Sequence, residues 1–138
     1  MQIYIFDTDH LSLYGRANSF LIAKLEESQI QLTTTAINVE EQLKGRLAQI
    51  AEVKDGESQS IAYQRLTETI LMLSEFNILQ YNAKAREIYQ SLKAQRIRVG
   101  TQDIRIASVV LANDGILLTR NRKDFEKIPN LIIEDWTL

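Results

Sequence analysis

The 138-residue chain has no cysteine, one histidine, one proline and five glycines. Without thiols there is no disulfide, no thiolate metal site and no cysteine nucleophile. A lone histidine argues against a structural zinc site, which is built from nitrogen and sulfur ligands. A bound metal would have to be held by oxygen, and that chemistry selects magnesium or manganese. So few prolines and glycines leave little room for linkers, and residues 1–138 are expected to form one domain. Long apolar runs are missing too. None approaches the roughly 18 residues of a membrane span, and Ile3 to Phe6 is too short for a signal-peptide core, so a cytoplasmic protein is expected. Neither sign of charge dominates: 16 basic and 18 acidic residues give a net charge of −2. A nucleic-acid partner would therefore need a local basic patch. With 45% apolar and 25% charged residues, the composition is that of an ordered globular protein.

Ile3 to Phe6 is a continuous apolar run, as expected for a strand covered on both faces of a parallel sheet. A helix is predicted over 18–28, with Asn18 or Ser19 as its cap and Leu21, Ile22 and Leu25 on one face. Ile30 to Thr33 is the second strand candidate. From Ala36 the apolar positions Ala36, Val39, Leu43, Leu47 and Ile50 fall three and four apart until Asp55-Gly56 interrupts them. A further helix follows from Ser58 to Glu75, with Ile61, Leu66, Ile70 and Leu73 as apolar positions. Asn77 to Gln80 is a weaker strand candidate and Ala83 to Gln95 another helix. After Gly100-Thr101, the residues Ile104, Ala107, Ser108 and Leu111 form a helical stripe. Ile116 to Thr119 and Leu131 to Asp135 read as buried strands. Strands alternating with helices predict an α/β sandwich with a mainly parallel sheet, in which ligands gather at the carboxyl ends of strands.

Several carboxylates fall where such a sheet places its chemistry. Asp7 directly follows the first strand. Asp7 or Asp9 also suits the cap of the next helix, since Asp is a preferred N-cap. His10 reads as structural or peripheral. Asp103 lies in the first turn of a helix that Thr101 can cap, where an acid favours the helix dipole. Asp124 follows the strand ending at Thr119, and its ordinary reading is a loop acid paired with Arg122 or Lys123. Glu40 and Glu41 share a helix. Counting about 100° per residue, Glu40 flanks the apolar stripe and Glu41 points nearly opposite it. Together these acids would repel one another unless a divalent cation neutralised them. Magnesium needs only one or two direct carboxylates, and such a site suits phosphodiester hydrolysis.

These residues resemble a known family along essentially the whole chain. "IFDTDHLS" is similar to the opening strand and first metal aspartate of PIN-domain ribonucleases, and within them of the VapC toxins of bacterial toxin–antitoxin pairs. "EEQLKG" resembles their helix motif, in which a glutamate precedes a glycine by four positions; the match assigns Glu41, with Gly45 fixing the register. "GTQDIRIASVVLAND" resembles the segment carrying the second acid, Asp103. "ILLTRNRKDFEKIPNLIIEDW" resembles the closing strand, the Thr-Arg-Asn turn and the acid before phenylalanine. The resemblance implies a PIN-like three-layer sandwich and a Mg²⁺- or Mn²⁺-dependent endoribonuclease. It also implies a homodimer and a cognate antitoxin that blocks the site. Asp7 and Asp103 would hold metal, Glu41 and Asp124 would complete the acidic cluster, and Thr119 and Asn121 would support it. Gln42 departs from the aliphatic residue common at its position, and the Glu40-Glu41 doublet leaves the register open by one. Asn121 is an aspartate in some relatives, so Asp124 is expected to supply the fourth carboxylate. Arg105, Arg120 and Arg122, with Arg96, Arg98 and Lys123, flank the acids in sequence and would hold RNA phosphates if they surround the site.

Two other functions fit parts of the chain. Asp7-Thr8-Asp9 after a buried strand also resembles a haloacid-dehalogenase-like phosphatase, with Asp7 as nucleophile and Asp9 as acid and base. Leu11 stands where that motif expects Thr or Val, and no paired-acid motif follows near the last strands. A non-catalytic PIN-like binding module is the second alternative, and it would have no need of the acids.

Overall fold

The structure, a computed structural model, describes residues 2–138. Five strands form one parallel sheet: β1 (Tyr4–Phe6), β2 (Thr33–Thr35), β3 (Asn77–Leu79), β4 (Ile116–Leu118) and β5 (Ile132–Glu134). Their order is β3-β2-β1-β4-β5, with Phe6 beside Thr34 and Leu118, so β1 lies at the centre. The chain first builds outward through β2 and β3, then returns to the other side of β1 as β4. The carboxyl ends of β1 and β4 therefore flank the topological switch point, where an open parallel sheet leaves a crevice.

Helices complete the layers: α1 (Thr8–Gly15), α2 (Ser19–Ser28), α3 (Ala36–Glu52), α4 (Glu57–Leu73), α5 (Ala83–Ala94), α6 (Thr101–Ala112) and the short α7 (Arg122–Phe125). The strands' two-residue period divides the core. Ile5 and Leu117 pack with Ile37, Leu92, Ile104 and Val110 on one face, while Phe6 and Leu118 pack with Leu11, Leu21, Phe76 and Trp136 on the other. Burial on both faces is why β1 and β4 are apolar at every position. Among the described residues no helix is long and apolar enough to cross a membrane.

The expected three-layer α/β arrangement is present, and four local expectations change. The second strand is Thr33–Thr35 rather than 30–33. Its threonines are buried because their hydroxyls are satisfied, as where Thr34 Oγ1 donates to the Phe6 carbonyl at 2.7 Å. Gly100, not Thr101, is the N-cap position of α6. On α4 the buried positions are Ala62, Thr69 and Leu73, which leaves Ile61 and Ile70 exposed. Finally, the segment after β4 is not a plain loop, because Asn121 caps α7 by accepting from the Asp124 backbone amide at 3.4 Å.

One close approach fixes how α6 turns into β4. A Cβ on Gly115 would lie 2.6 Å from Ile5 Cδ1 and 3.2 Å from the Ile3 carbonyl oxygen. Ile5 is fully buried and has little room to move. Gly115→Ala is expected to cost about 1–3 kcal/mol through overpacking, read as a lower urea midpoint at unchanged slope.

Candidate metal and phosphodiester site

Asp7 stands at the end of β1 and is buried. It occupies the N-cap position of α1 but makes no side-chain cap bond, because its oxygens are engaged elsewhere. Asn38 Nδ2, on the first turn of α3, donates to Asp7 Oδ1 at 2.9 Å, and Thr119 Oγ1, just after β4, donates to Asp7 Oδ2 at 2.7 Å. The orientation of Asn38 is fixed by Thr35, whose hydroxyl donates to Asn38 Oδ1 at 2.7 Å and accepts from the Asn38 backbone amide at 3.1 Å. That leaves both hydrogens of the Asn38 amide for the site. The second goes to Thr8 Oγ1 at 3.0 Å, and Thr8 in turn donates to Glu41 Oε1 at 2.6 Å. Glu41 thereby faces the acidic centre. Glu40 is exposed and accepts from Gln102 Nε2 at 2.8 Å, so the helical count that favoured Glu40 is corrected. That count rests partly on Leu47, which is 56% exposed.

Gln42 also acquires a role. Its Nε2 donates to the Thr8 carbonyl at 3.1 Å and to Ser12 Oγ at 3.0 Å, tying α3 to α1 where an aliphatic residue could only pack. From Thr8 and Glu41 a cleft of about 340 Å³ runs between α1, α3 and α4 past Gln42, Arg46 and Thr69.

Electrostatics show which acids converge. Burial, then the charge of Asp9, pushes the Asp7 carboxyl up to about 6 against hydrogen bonds from Thr119, the Thr8 backbone and Asn38, which lower it. Asp103, in the first turn of α6, is likewise pushed up to about 6, first by burial and then by the charges of Glu41, Asp124 and Asp9. Glu41, Asp103 and Asp124 therefore share one electrostatic centre, and Asp9, expected as a helix cap, joins it to Asp7, since its charge raises both Asp7 and Asp103. Asp9 instead accepts from His10 Nδ1 at 2.7 Å and from the Arg120 backbone amide at 3.0 Å. His10 is wholly buried rather than peripheral. Thr119 is buried against Asp7, and Asn121 Nδ2 donates to Asp124 Oδ2 at 3.2 Å, so both expected supporting groups touch the acids.

Among the described residues no three carboxylates or imidazoles lie close enough to encircle an ion unaided. The donor set still fits a hard cation that keeps most of its waters, because it is all oxygen and two of its acids resist ionising without a counter-charge. The arginines are less convergent. Arg105 lies over the Tyr89 ring, 5.4 Å from its centroid, with its guanidinium donating to Gln102 Oε1 at 2.7 Å. Arg122 pairs with Glu126 at 3.6 Å, whereas the exposed Arg120 contributes only its backbone amide to the acids.

Comparison with known proteins shows the family to which the fold belongs. The family described as PIN domain matches residues 4–131. Ribonuclease VapC1 of Haemophilus influenzae is 31% identical over an alignment of 142 positions covering 98% of both chains. Ribonuclease VapC2 of Rickettsia felis is 34% identical over 92 residues, covering 63% of this chain and 69% of that one. Among solved structures, VapBC-1 from nontypeable Haemophilus influenzae superposes with a TM-score of 0.77 at 25% identity, covering 99% of this chain and 100% of that one. DNA-bound VapBC from Salmonella typhimurium shares the fold, with a TM-score of 0.79 at 20% identity and 99% coverage of both chains. The chain belongs to the PIN-domain family and, within it, to the VapC proteins.

Proposed function

We propose that this protein is a Mg²⁺- or Mn²⁺-dependent endoribonuclease and the toxin of a type II toxin–antitoxin pair. The observation that carries the reading is the buried Asp7 carboxylate at the switch point of the sheet, linked through Asn38 and Thr8 to Glu41 and through the charge of Asp9 to Asp103, which Glu41 and Asp124 also raise. The ribonucleases among its relatives support RNA as substrate, and the VapBC complexes that share its fold support a cognate antitoxin partner. Asp7 and Asp103 would hold the cation, while Glu41 and Asp124 add negative charge and acceptors for its waters. When bound, the ion would stabilise charge on the scissile phosphate and acidify the attacking water. Asn38 and Thr119 keep Asp7 in one orientation, and Thr8 does the same for Glu41. Arg120 and Arg122, exposed beside the acids, are suited to hold RNA phosphates; Arg105, already stacked on Tyr89, is less available. The exposed apolar side chains of Phe20, Ile70 and Leu71 favour protein partners, an antitoxin and a second copy of the chain. A phosphatase gains nothing from this geometry, because Asp9, its required acid and base, has both oxygens engaged by His10 and Arg120.

Purified protein is expected to cleave a mixed cellular RNA pool with Mg²⁺ or Mn²⁺ and not with EDTA. Asp7→Asn and Asp103→Asn should abolish cleavage while leaving the circular dichroism spectrum unchanged. Cleavage by either variant at the parent's rate would contradict the assignment. Glu41→Gln is expected to lower cleavage by at least tenfold and Glu40→Gln to leave it within about twofold; the reverse order would move the site to Glu40.

The raised acids also predict a pH dependence. In the unfolded chain Asp7 and Asp103 ionise near 3.8, in the folded protein near 6. Across that interval the folded state holds protons the unfolded chain has released. Their stabilisation is therefore complete below about pH 4 and is lost as pH rises through 6. Metal-free protein should accordingly show a melting temperature that falls over this window. Mn²⁺ should restore it at pH 7 and change it little at pH 4, and Asp7→Asn should flatten the slope. A slope unaffected by both would rule out the coupling.

A further inference from the structure

We infer that His10 is a positioning residue of the acidic site: through Asp9 it fixes the Thr119–Arg120 turn, whose hydroxyl holds Asp7. The inference rests on the metal-dependent reading above. His10 lies on the first turn of α1, wholly buried, with its ring edge-on to Phe6 at 6.3 Å. The Trp136 backbone amide, just past β5, donates to His10 Nε2 at 3.2 Å. That nitrogen must therefore present its lone pair, which puts the ring proton on Nδ1. Asp135 Oδ1, at 3.8 Å from Nε2, is too far to compete.

Nδ1 then donates to Asp9 Oδ1 at 2.7 Å. The other oxygen of Asp9 accepts from the Arg120 backbone amide at 3.0 Å, a partner 111 positions away, and lies 3.4 Å from Thr119 Oγ1. The Thr119 hydroxyl gives its single proton to Asp7 Oδ2 at 2.7 Å and accepts from the Asn121 amide at 3.0 Å. A continuous chain of hydrogen bonds thus runs from Trp136 through His10, Asp9 and the Thr119–Arg120 turn to Asp7. A helix cap would spend Asp9 on amides of its own helix, whereas here its second oxygen reaches the Arg120 amide across the sheet. Here the imidazole leaves Asp9 one orientation, and Asp9 leaves the turn one position. Groups that orient metal-binding side chains in this way are typically worth ten- to a hundredfold in metal affinity.

The two nitrogens of His10 can be tested separately. In His10→Asn the amide nitrogen lies where Nδ1 was, so the bond to Asp9 is kept and the partner of the Trp136 amide is lost. In His10→Gln the amide reaches the Nε2 position, so Trp136 is served and Asp9 is not. Mn²⁺ would be titrated into the metal-free full-length parent, both His10 variants and Asp7→Asn, with free Mn²⁺ read by electron paramagnetic resonance and thermal unfolding recorded alongside. His10→Gln is expected to weaken Mn²⁺ binding by about tenfold or more. His10→Asn should bind close to the parent despite unfolding at a lower temperature. Parent-like binding by His10→Gln, or equal losses in both variants, would reduce His10 to a core residue and overturn the inference. Should a His10 variant not fold, Asp9→Asn on the half-buried carboxylate replaces it, and unchanged affinity there overturns the inference as well. A parent that binds no Mn²⁺, or an Asp7→Asn that binds like the parent, would instead remove the metal reading and this inference with it.

Discussion

The Asp7 carboxylate lies out of water at the end of the central strand, held by Asn38 on one oxygen and Thr119 on the other. A buried charge is tolerated only with such partners, and here they come from either side of β1 at once, one from the helix after β2 and one from the residue after β4. That requirement explains the local sequence around it. Thr119, directly after β4, puts a hydroxyl where the apolar run would otherwise continue. Thr35 closes β2 and locks the Asn38 amide so that its hydrogens face Asp7 and Thr8. Thr34 satisfies the Phe6 carbonyl beside them. The polar residues at the top of the sheet are thus a support for one carboxylate.

Even so supported, Asp7 is an acid that resists ionising. Its shift from 3.8 to about 6 corresponds to about 3 kcal/mol against the charged form. The core offsets a cost of this size readily, because Ile5, Phe6, Leu117 and Leu118 are each fully buried and each contributes about 1.5–3 kcal/mol. Strain of this kind, concentrated at one point of an otherwise well-packed sheet, would be relieved by a counter-charge. The repulsion of Asp7 by Asp9, and of Asp103 by Glu41, Asp124 and Asp9, that disfavours their ionisation is the same effect that would draw in a divalent cation.

Much of this arrangement could be read from the chain, for identifiable reasons. β1 and β4 were legible because both faces are covered, so every position is apolar. Asp7 and Asp103 were legible because one follows such a strand and the other opens a helix after a glycine break. β2 was displaced in the reading because its burial rests on hydroxyls bonded across the sheet, and Thr-Thr-Thr does not look like core. The choice between Glu40 and Glu41 failed on periodicity because α3 is read from Leu43 and Leu47, while its contacts with the site are set by Asn38, Glu41 and Gln42. Asn38 and His10 carry no local signal for these roles, and that of Asp9 points to a helix cap instead. Their partners lie 31, 126 and 111 positions away, and only the folded chain brings them together.

The central claim is that Asp7 and Asp103 share one divalent cation. Anomalous diffraction at the manganese edge from crystals grown with Mn²⁺ at neutral pH tests it most directly. The account predicts an anomalous peak between these two carboxylates, within coordination distance of at least one of them. A fully occupied manganese peak elsewhere, or well-ordered Asp7 and Asp103 side chains with no peak between them at saturating Mn²⁺, would contradict it.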